Sequence, residues 1–199
     1  MSGILRFLVS ICILTFSISV SAGEFSDGMK AYRSGDYASA RAKLLPLAEA
    51  GHTRAMNNMA LILKKGLGVP KDLKKSFKFF LRSSQQGFSL AQYNLAGMYQ
   101  KGLGTKRSPK NAVKWMRKAA DNKYARAQLV LGIWYERGFG VPRNPVDSLM
   151  WYVIAQANSK GKFRKTVEKR LFKLRKALSD DQIKAASEAA KGYIVSHSS

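Results

Sequence analysis

Few residues in this 199-residue chain could carry out chemistry. It has two histidines, His52 and His197, and one cysteine, Cys12, so the ligands of a Cys/His zinc site and the partners of a disulfide are missing. The adjacent carboxylates Asp180 and Asp181 fit the first turn of a helix better than general acid–base catalysis. We therefore predict no metal, no cofactor and no catalytic residue.

Three glycine-containing loops also fail to match a phosphate-binding site. They read KKGLGVPKDL, QKGLGTKRSP and ERGFGVPRNP. A phosphate-binding loop has a further glycine, a preceding strand and a lysine at a set position, and this pattern has none of them. A hydrolase is accordingly the least favoured of three functional hypotheses, behind a protein-binding module and a binder of anionic polymers or lipids.

Residues 1–22 are typical of an export signal. Arg6 precedes an apolar run of about 14 residues, and Val20-Ser21-Ala22 offers a cleavage site before Gly23. The run is shorter than the roughly 20 residues that span a bilayer, although a retained anchor is the alternative. We expect a cysteine-free mature chain without a transmembrane segment, located in the periplasm or secreted, where a nucleic-acid partner is disfavoured.

The positive charge is large and unevenly distributed. Lys and Arg number 35 against 12 acids, for a formal net charge of +23. Residues 24–50 and 180–199 are close to neutral, so the middle of the chain is cationic. Such an excess indicates anionic partners or surfaces, but a solvated face that keeps the protein soluble explains it equally well.

The chain contains three tandem copies of a 36-residue repeat, which begin at Gly51. Small, apolar and glycine positions align without gaps, as in the columns Ala55, Ala91, Ala127; Gly66, Gly102, Gly138; and Phe79, Trp115, Trp151. Apolar residues recur at spacings of three and four, so each copy is predicted to form two helices. We place the repeats at 51–86, 87–122 and 123–158, with a divergent helix pair at 23–50 and basic helices at 159–199.

The loop between the two helices of each repeat has the residues needed to end one helix and start the next. Gly66, Gly102 and Gly138 fit a left-handed C-cap, and the second glycine of each loop is expected to allow close backbone approach. N-caps are predicted at Asp72, Ser108 and Asn144. Pro109 and Pro145 then suit the first helical position.

These columns resemble the Sel-one-like repeat family, a relative of the tetratricopeptide repeat. The likeness extends over about Phe25 to Asn158 and is weakest in the first copy, where Leu63 and Phe79 replace the usual aromatic residues. It implies an all-α, right-handed superhelical solenoid of antiparallel helix pairs, used for protein interaction. The expected opening helices run near Ser26–Arg33 and Tyr37–Ala50.

The resemblance also implies a binding surface, because the first helix of each pair lines the concave face in this family. The matching candidate partner-binding residues are Arg54, Asn57, Lys64, Lys65, Tyr93, Gln100, Lys101, Arg126 and Arg137. A face so rich in cations would suit an acidic segment of a partner protein. Ordinary solvation of helix faces is the alternative. We assign the aromatic columns with Trp115 and Trp151, and with Tyr99 and Tyr135, to the core.

The C-terminal segment is predicted to form a capping helix pair. Phe163, Val167, Leu171, Leu174 and Leu178 form one apolar stripe. The segment from Lys160 to Lys176 has nine bases off this stripe against one acid, including the candidate binding residues Lys165, Lys169, Lys173 and Lys176. Ser179 and Gln182 form a capping box for the last helix. We expect His197 to begin a frayed tail.

Overall fold

The protein is all-helical in the residues that the structure, a computed structural model, describes, which are 23–197. The predicted signal peptide and its cleavage site lie outside these residues. Helix α1 covers 23–34. The other nine are α2 Tyr37–Glu49, α3 Thr53–Lys65, α4 Leu73–Gln85, α5 Ser89–Lys101, α6 Pro109–Asp121, α7 Ala125–Arg137, α8 Pro145–Ala157, α9 Gly161–Arg175 and α10 Asp180–Ser196.

Each repeat forms the predicted helix pair, and the predicted caps are confirmed. Gly66, Gly102 and Gly138 end the first helices with left-handed φ angles of 71°, 71° and 73°. The N-cap side chains accept hydrogen bonds from the new helices, as in the 2.8 Å bond from the Lys75 amide to Asp72. The capping box that begins α10 is also present. Local residue chemistry therefore sets the helix boundaries.

Buried side-chain hydrogen bonds join the two helices of a pair. Ser76 on α4 donates to the Ala60 carbonyl on α3, and Ser148 on α8 donates to the Gly132 carbonyl on α7, both at 2.7 Å. The two serines are equivalent positions of the first and third repeats. Each bond satisfies a buried hydroxyl, so small polar residues can lie inside the apolar interface.

The described residues divide into two compact units, one within Met1–Gln86 and the other within Gly87–Ser199. In the first unit, α3 packs against both α2 and α4, and Leu44, Met56, Met59, Ile62 and Phe80 are fully or almost fully buried.

In the second unit, α5 to α8 form the two remaining helix pairs. Trp115, Tyr135 and Trp151 are buried as predicted, Tyr99 is half-buried, and Trp134 is also buried, at 3% exposure.

Helices α9 and α10 both pack against α8. Val167 and Leu171 on α9 and Ala186 on α10 join a buried cluster with Leu149 and Tyr152 of α8. The rest of the predicted apolar stripe, Phe163, Leu174 and Leu178, contacts the same cluster. Within 23–197, no helix combines the length and apolar character required to cross a bilayer.

Candidate interaction surfaces

In the first unit, the predicted binding residues differ in accessibility. Arg54 and Lys65 are exposed, and Lys64 is half-buried. Arg54 places its guanidinium 5.1 Å from the ring centroid of Phe25 on α1. Asn57 is only 1% exposed, so its assignment to a binding surface is wrong. The buried residues of α3 thus include a polar one.

In the second unit, Lys101, Arg126 and Arg137 are exposed, whereas Tyr93 and Gln100 are half-buried. The Tyr93 ring packs edge-on against Tyr124 at 5.3 Å between centroids. Arg126 lies 5.4 Å from the ring centroid of Phe163 on α9. Part of this predicted set therefore packs within the fold, and the three cations are its accessible members.

The acid of the same helix face, Glu136, is engaged by a tyrosine. The Tyr152 hydroxyl donates a hydrogen bond to the Glu136 carboxylate at 2.6 Å. Burial of Tyr152, together with this bond, raises the pKa of its hydroxyl well above the ordinary value. Glu136 is also half-buried, whereas Arg126 and Arg137 on the same helix are exposed.

The α9 surface is strongly cationic. All four predicted binding residues, Lys165, Lys169, Lys173 and Lys176, are exposed. The acid of this helix, Glu168, accepts a 3.0 Å hydrogen bond from Arg164 and a 3.3 Å bond from Gln156. These bonds lower the pKa of Glu168, with the Arg164 bond as the main cause. The carboxylate of Glu168 is thus paired with the guanidinium of Arg164.

Phe172 lies on this cationic surface and was not singled out by the sequence pattern. Its side chain is 61% exposed, and Val195 on α10 is the other large hydrophobic residue found exposed within 23–197. The Lys176 ammonium lies 4.5 Å from the centroid of the Phe172 ring. An aromatic ring is therefore presented to solvent among lysines.

His197, at the C-terminal end of α10, lines a small pocket. The prediction that it begins a frayed tail is wrong. This residue is the C-cap of α10, and its ring stacks on Tyr193 at 4.0 Å, so it is not frayed. Tyr193 in turn donates to Asp121 at 2.7 Å. Burial and this bond raise the pKa of Tyr193. The pocket, with a cavity volume of about 120 Å³, is lined by Lys123, Gln128, Asn158, Tyr193 and His197, among others.

The other histidine, His52, has a structural role. His52 is the N-cap of α3, and its Nδ1 accepts a 3.1 Å hydrogen bond from the Ala55 amide. Its ring also contacts Phe25 at 4.8 Å between centroids. Residues 23–197 contain no group of three or more His, Cys, Asp or Glu side chains placed to hold a metal ion.

Solved structures share this fold, and two of them serve as examples. One is a Sel1 repeat protein from Oxalobacter formigenes, with 32% identity and a TM-score of 0.64 over 68% of this chain and 56% of that one. The other is c5321, a protective antigen of uropathogenic Escherichia coli strains with an SLR fold. It has 28% identity and a TM-score of 0.78 over 87% of this chain. The chain spans 56% and 38% of the lengths of these two proteins. No curated protein matches it significantly.

The Sel1 repeat model matches three consecutive segments, 53–88, 89–124 and 125–155. They coincide with the helix pairs α3–α4, α5–α6 and α7–α8, and together they cover more than half of the sequence. Sel1 repeats serve in general as protein-interaction modules with non-catalytic scaffold folds. The protein therefore belongs to the Sel1 repeat family.

Proposed function

We propose that the protein is a non-catalytic interaction module of the bacterial envelope that binds an acidic segment of a partner protein through the first helices of its repeats. The main support is one recurring position. Lys65, Lys101 and Arg137 are the last residues of α3, α5 and α7, and all three are exposed. In the second unit, Lys101 and Arg137 occupy this position in two consecutive repeats, where they can meet successive acidic residues of an extended segment. Lys65 occupies the same position in the first unit.

Charge reversal tests this function. Lys64, Lys65, Lys101 and Arg137 are changed together to Glu, and capture of partners from envelope extract is compared with that of the parent protein. We expect capture to be abolished while helicity by circular dichroism is retained, because three of the four side chains, those of Lys65, Lys101 and Arg137, are exposed.

A matched control separates the surface from the overall charge. Lys74, Lys78, Lys110 and Lys114 lie exposed on α4 and α6, so their reversal makes the same change in charge elsewhere. This control should capture partners as the parent does. Equal loss in both variants would show that net charge, rather than the first-helix surface, governs capture, and the proposal would be wrong.

The second candidate function is direct binding of an anionic envelope polymer or lipid through α9. It is favoured by the exposed lysines of α9 and by the engagement of Glu168 with Arg164. Reversal of Lys165, Lys169, Lys173 and Lys176 should then reduce binding more than reversal of the first-helix set. Such binding should also weaken steeply between low and moderate salt, whereas a protein complex with apolar anchors should persist.

A further inference from the structure

Phe172 lies on the side of α9 opposite to the face that packs into the protein. At 100° per residue, it is about 140° from the buried Val167 and about 160° from Leu174. Lys165 and Lys176 fall within about 40° of it on the same outer face. The side chain is 61% exposed, and α9 already buries other apolar residues against α8. Packing of the described fold therefore does not explain an outward phenylalanine here.

The unpaired charges around the Phe172 ring are positive. Lys169 and Arg175 flank it within about 60° on either side. Glu168, which shares the outer face, is in an ion pair with Arg164 at 3.0 Å. Lys176 is in contact with the ring itself, with 4.5 Å from its ammonium to the ring centroid. The outer face of α9 is thus a cationic surface with an aromatic residue at its centre.

We propose that this face docks on an anionic lipid bilayer, with the lysines at the headgroups and Phe172 inserted at the boundary of the acyl chains. The inference rests on the second candidate function and names the bilayer as its partner. A soluble polyanion would neutralise the lysines but would leave the phenyl ring in water. An anionic bilayer surface offers both the charge and a shallow apolar layer, which is the environment that basic amphipathic helices occupy.

The expected contributions of these side chains to affinity predict reversible, peripheral binding to the membrane. A lysine near an anionic membrane surface contributes about fivefold in affinity at physiological salt. Insertion of one phenyl ring contributes about tenfold. The contributions of the lysines and of Phe172 to membrane affinity can be removed separately, because different substitutions remove the charges and the ring.

Vesicle co-sedimentation of the full chain tests the proposal, with phosphatidylcholine vesicles and vesicles containing one quarter phosphatidylglycerol. The parent should bind the anionic vesicles more tightly than the neutral ones. Changing Lys165, Lys169, Lys173 and Lys176 to Ala should weaken binding at least about hundredfold, and Phe172→Ala should weaken it about tenfold. The controls are the Ala variant of Lys74, Lys78, Lys110 and Lys114, and Val195→Ala, which removes the other exposed apolar side chain. Residues 1–22 are common to all variants, so differences between them report on α9.

Insertion itself is measured with Phe172→Trp and vesicles whose acyl chains are brominated. Fluorescence of the new tryptophan, taken as the difference from the parent, should be quenched by anionic brominated vesicles. Absence of quenching, or equal binding of Phe172→Ala and Val195→Ala, overturns the proposal. If the protein then still binds soluble polyglutamate through the four lysines, the second candidate function stands without a bilayer. If it binds neither polyglutamate nor vesicles, both fail.

Discussion

Gly138 and Gly140 provide a test of how the loop glycines hold the second unit together. Both have left-handed φ angles, 73° and 66°, so an alanine at either position is strained to a similar degree. They differ in their surroundings. A Cβ on Gly138 would be 3.5 Å from the nearest heavy atom, which is an ordinary contact, whereas a Cβ on Gly140 would be 2.7 Å from the Pro109 carbonyl oxygen.

We therefore expect Gly138→Ala to lower the free energy of unfolding by about 1 kcal/mol, the cost of a left-handed non-glycine residue. Gly140→Ala should cost about 2–4 kcal/mol, because overpacking against the first turn of α6 adds about 1–3 kcal/mol. The clash involves backbone, which cannot move away as a flexible side chain can.

Urea unfolding followed by circular dichroism at 222 nm measures both losses. Helix-pair repeats can unfold in more than one step, so the comparison uses the first transition of each variant under identical conditions. A Gly140→Ala loss equal to or smaller than that of Gly138→Ala would refute the close-approach argument. Hydrogen exchange in the first turn of α6 supplies an independent readout, since only Gly140→Ala should increase exchange there.

Four other predictions follow from the same geometry and from the signal segment. Gly102→Val should cost roughly 1 kcal/mol or more, because Gly102 has a left-handed φ of 71°. Lys106→Val in the same loop should be nearly neutral in thermal melts, because the φ of Lys106 is not left-handed. Gly97→Ala should stabilise α5 by up to about 1 kcal/mol, since nothing lies within 4 Å of its Cβ position. Gly132→Ala should destabilise the protein, because its Cβ would be 2.4 Å from the Tyr152 ring, and chemical denaturation compares the two variants. Because the pKa values of Tyr152 and Tyr193 are raised, the native state keeps protons that the unfolded chain releases above about pH 10. The free energy of unfolding should therefore fall as the pH rises above about 10, and it should fall less steeply in the double variant Tyr152→Phe, Tyr193→Phe. Mass spectrometry of the exported protein should find Gly23 at its amino terminus, and a protein that keeps residues 1–22 in the membrane would contradict both the cleavage site and the envelope localisation.

The features that sequence could predict are those determined within a few residues of chain. The left-handed glycine at 102, the N-cap at 144 and the capping box at 179 each depend on one side chain and the nearest backbone amides. Because the same local solutions recur every 36 residues, they could be recognised without knowledge of tertiary contacts.

The features that sequence missed depend on partners far along the chain. The bond from Tyr193 to Asp121 joins residues 72 positions apart, and it holds the side chain on which His197 stacks. Asn57 is buried, although its residue type favours an exposed position. Gly132 is needed because Tyr152 occupies the space that a Cβ would take. Periodicity contains no information about such pairings.

The two cationic surfaces differ in how far the fold itself accounts for them. Lys65, Lys101 and Arg137 lie at helix C-termini, where a cation is favoured by the helix dipole, so part of their recurrence has a structural reason. The four candidate lysines of α9 extend from Lys165, in its second turn, to Lys176 at its C-cap, and the dipole acts only on the last turn. Neither the dipole nor packing explains the exposed Phe172 among them. The outer face of α9 is thus the surface whose composition the fold explains least, and a function in binding should be tested there first.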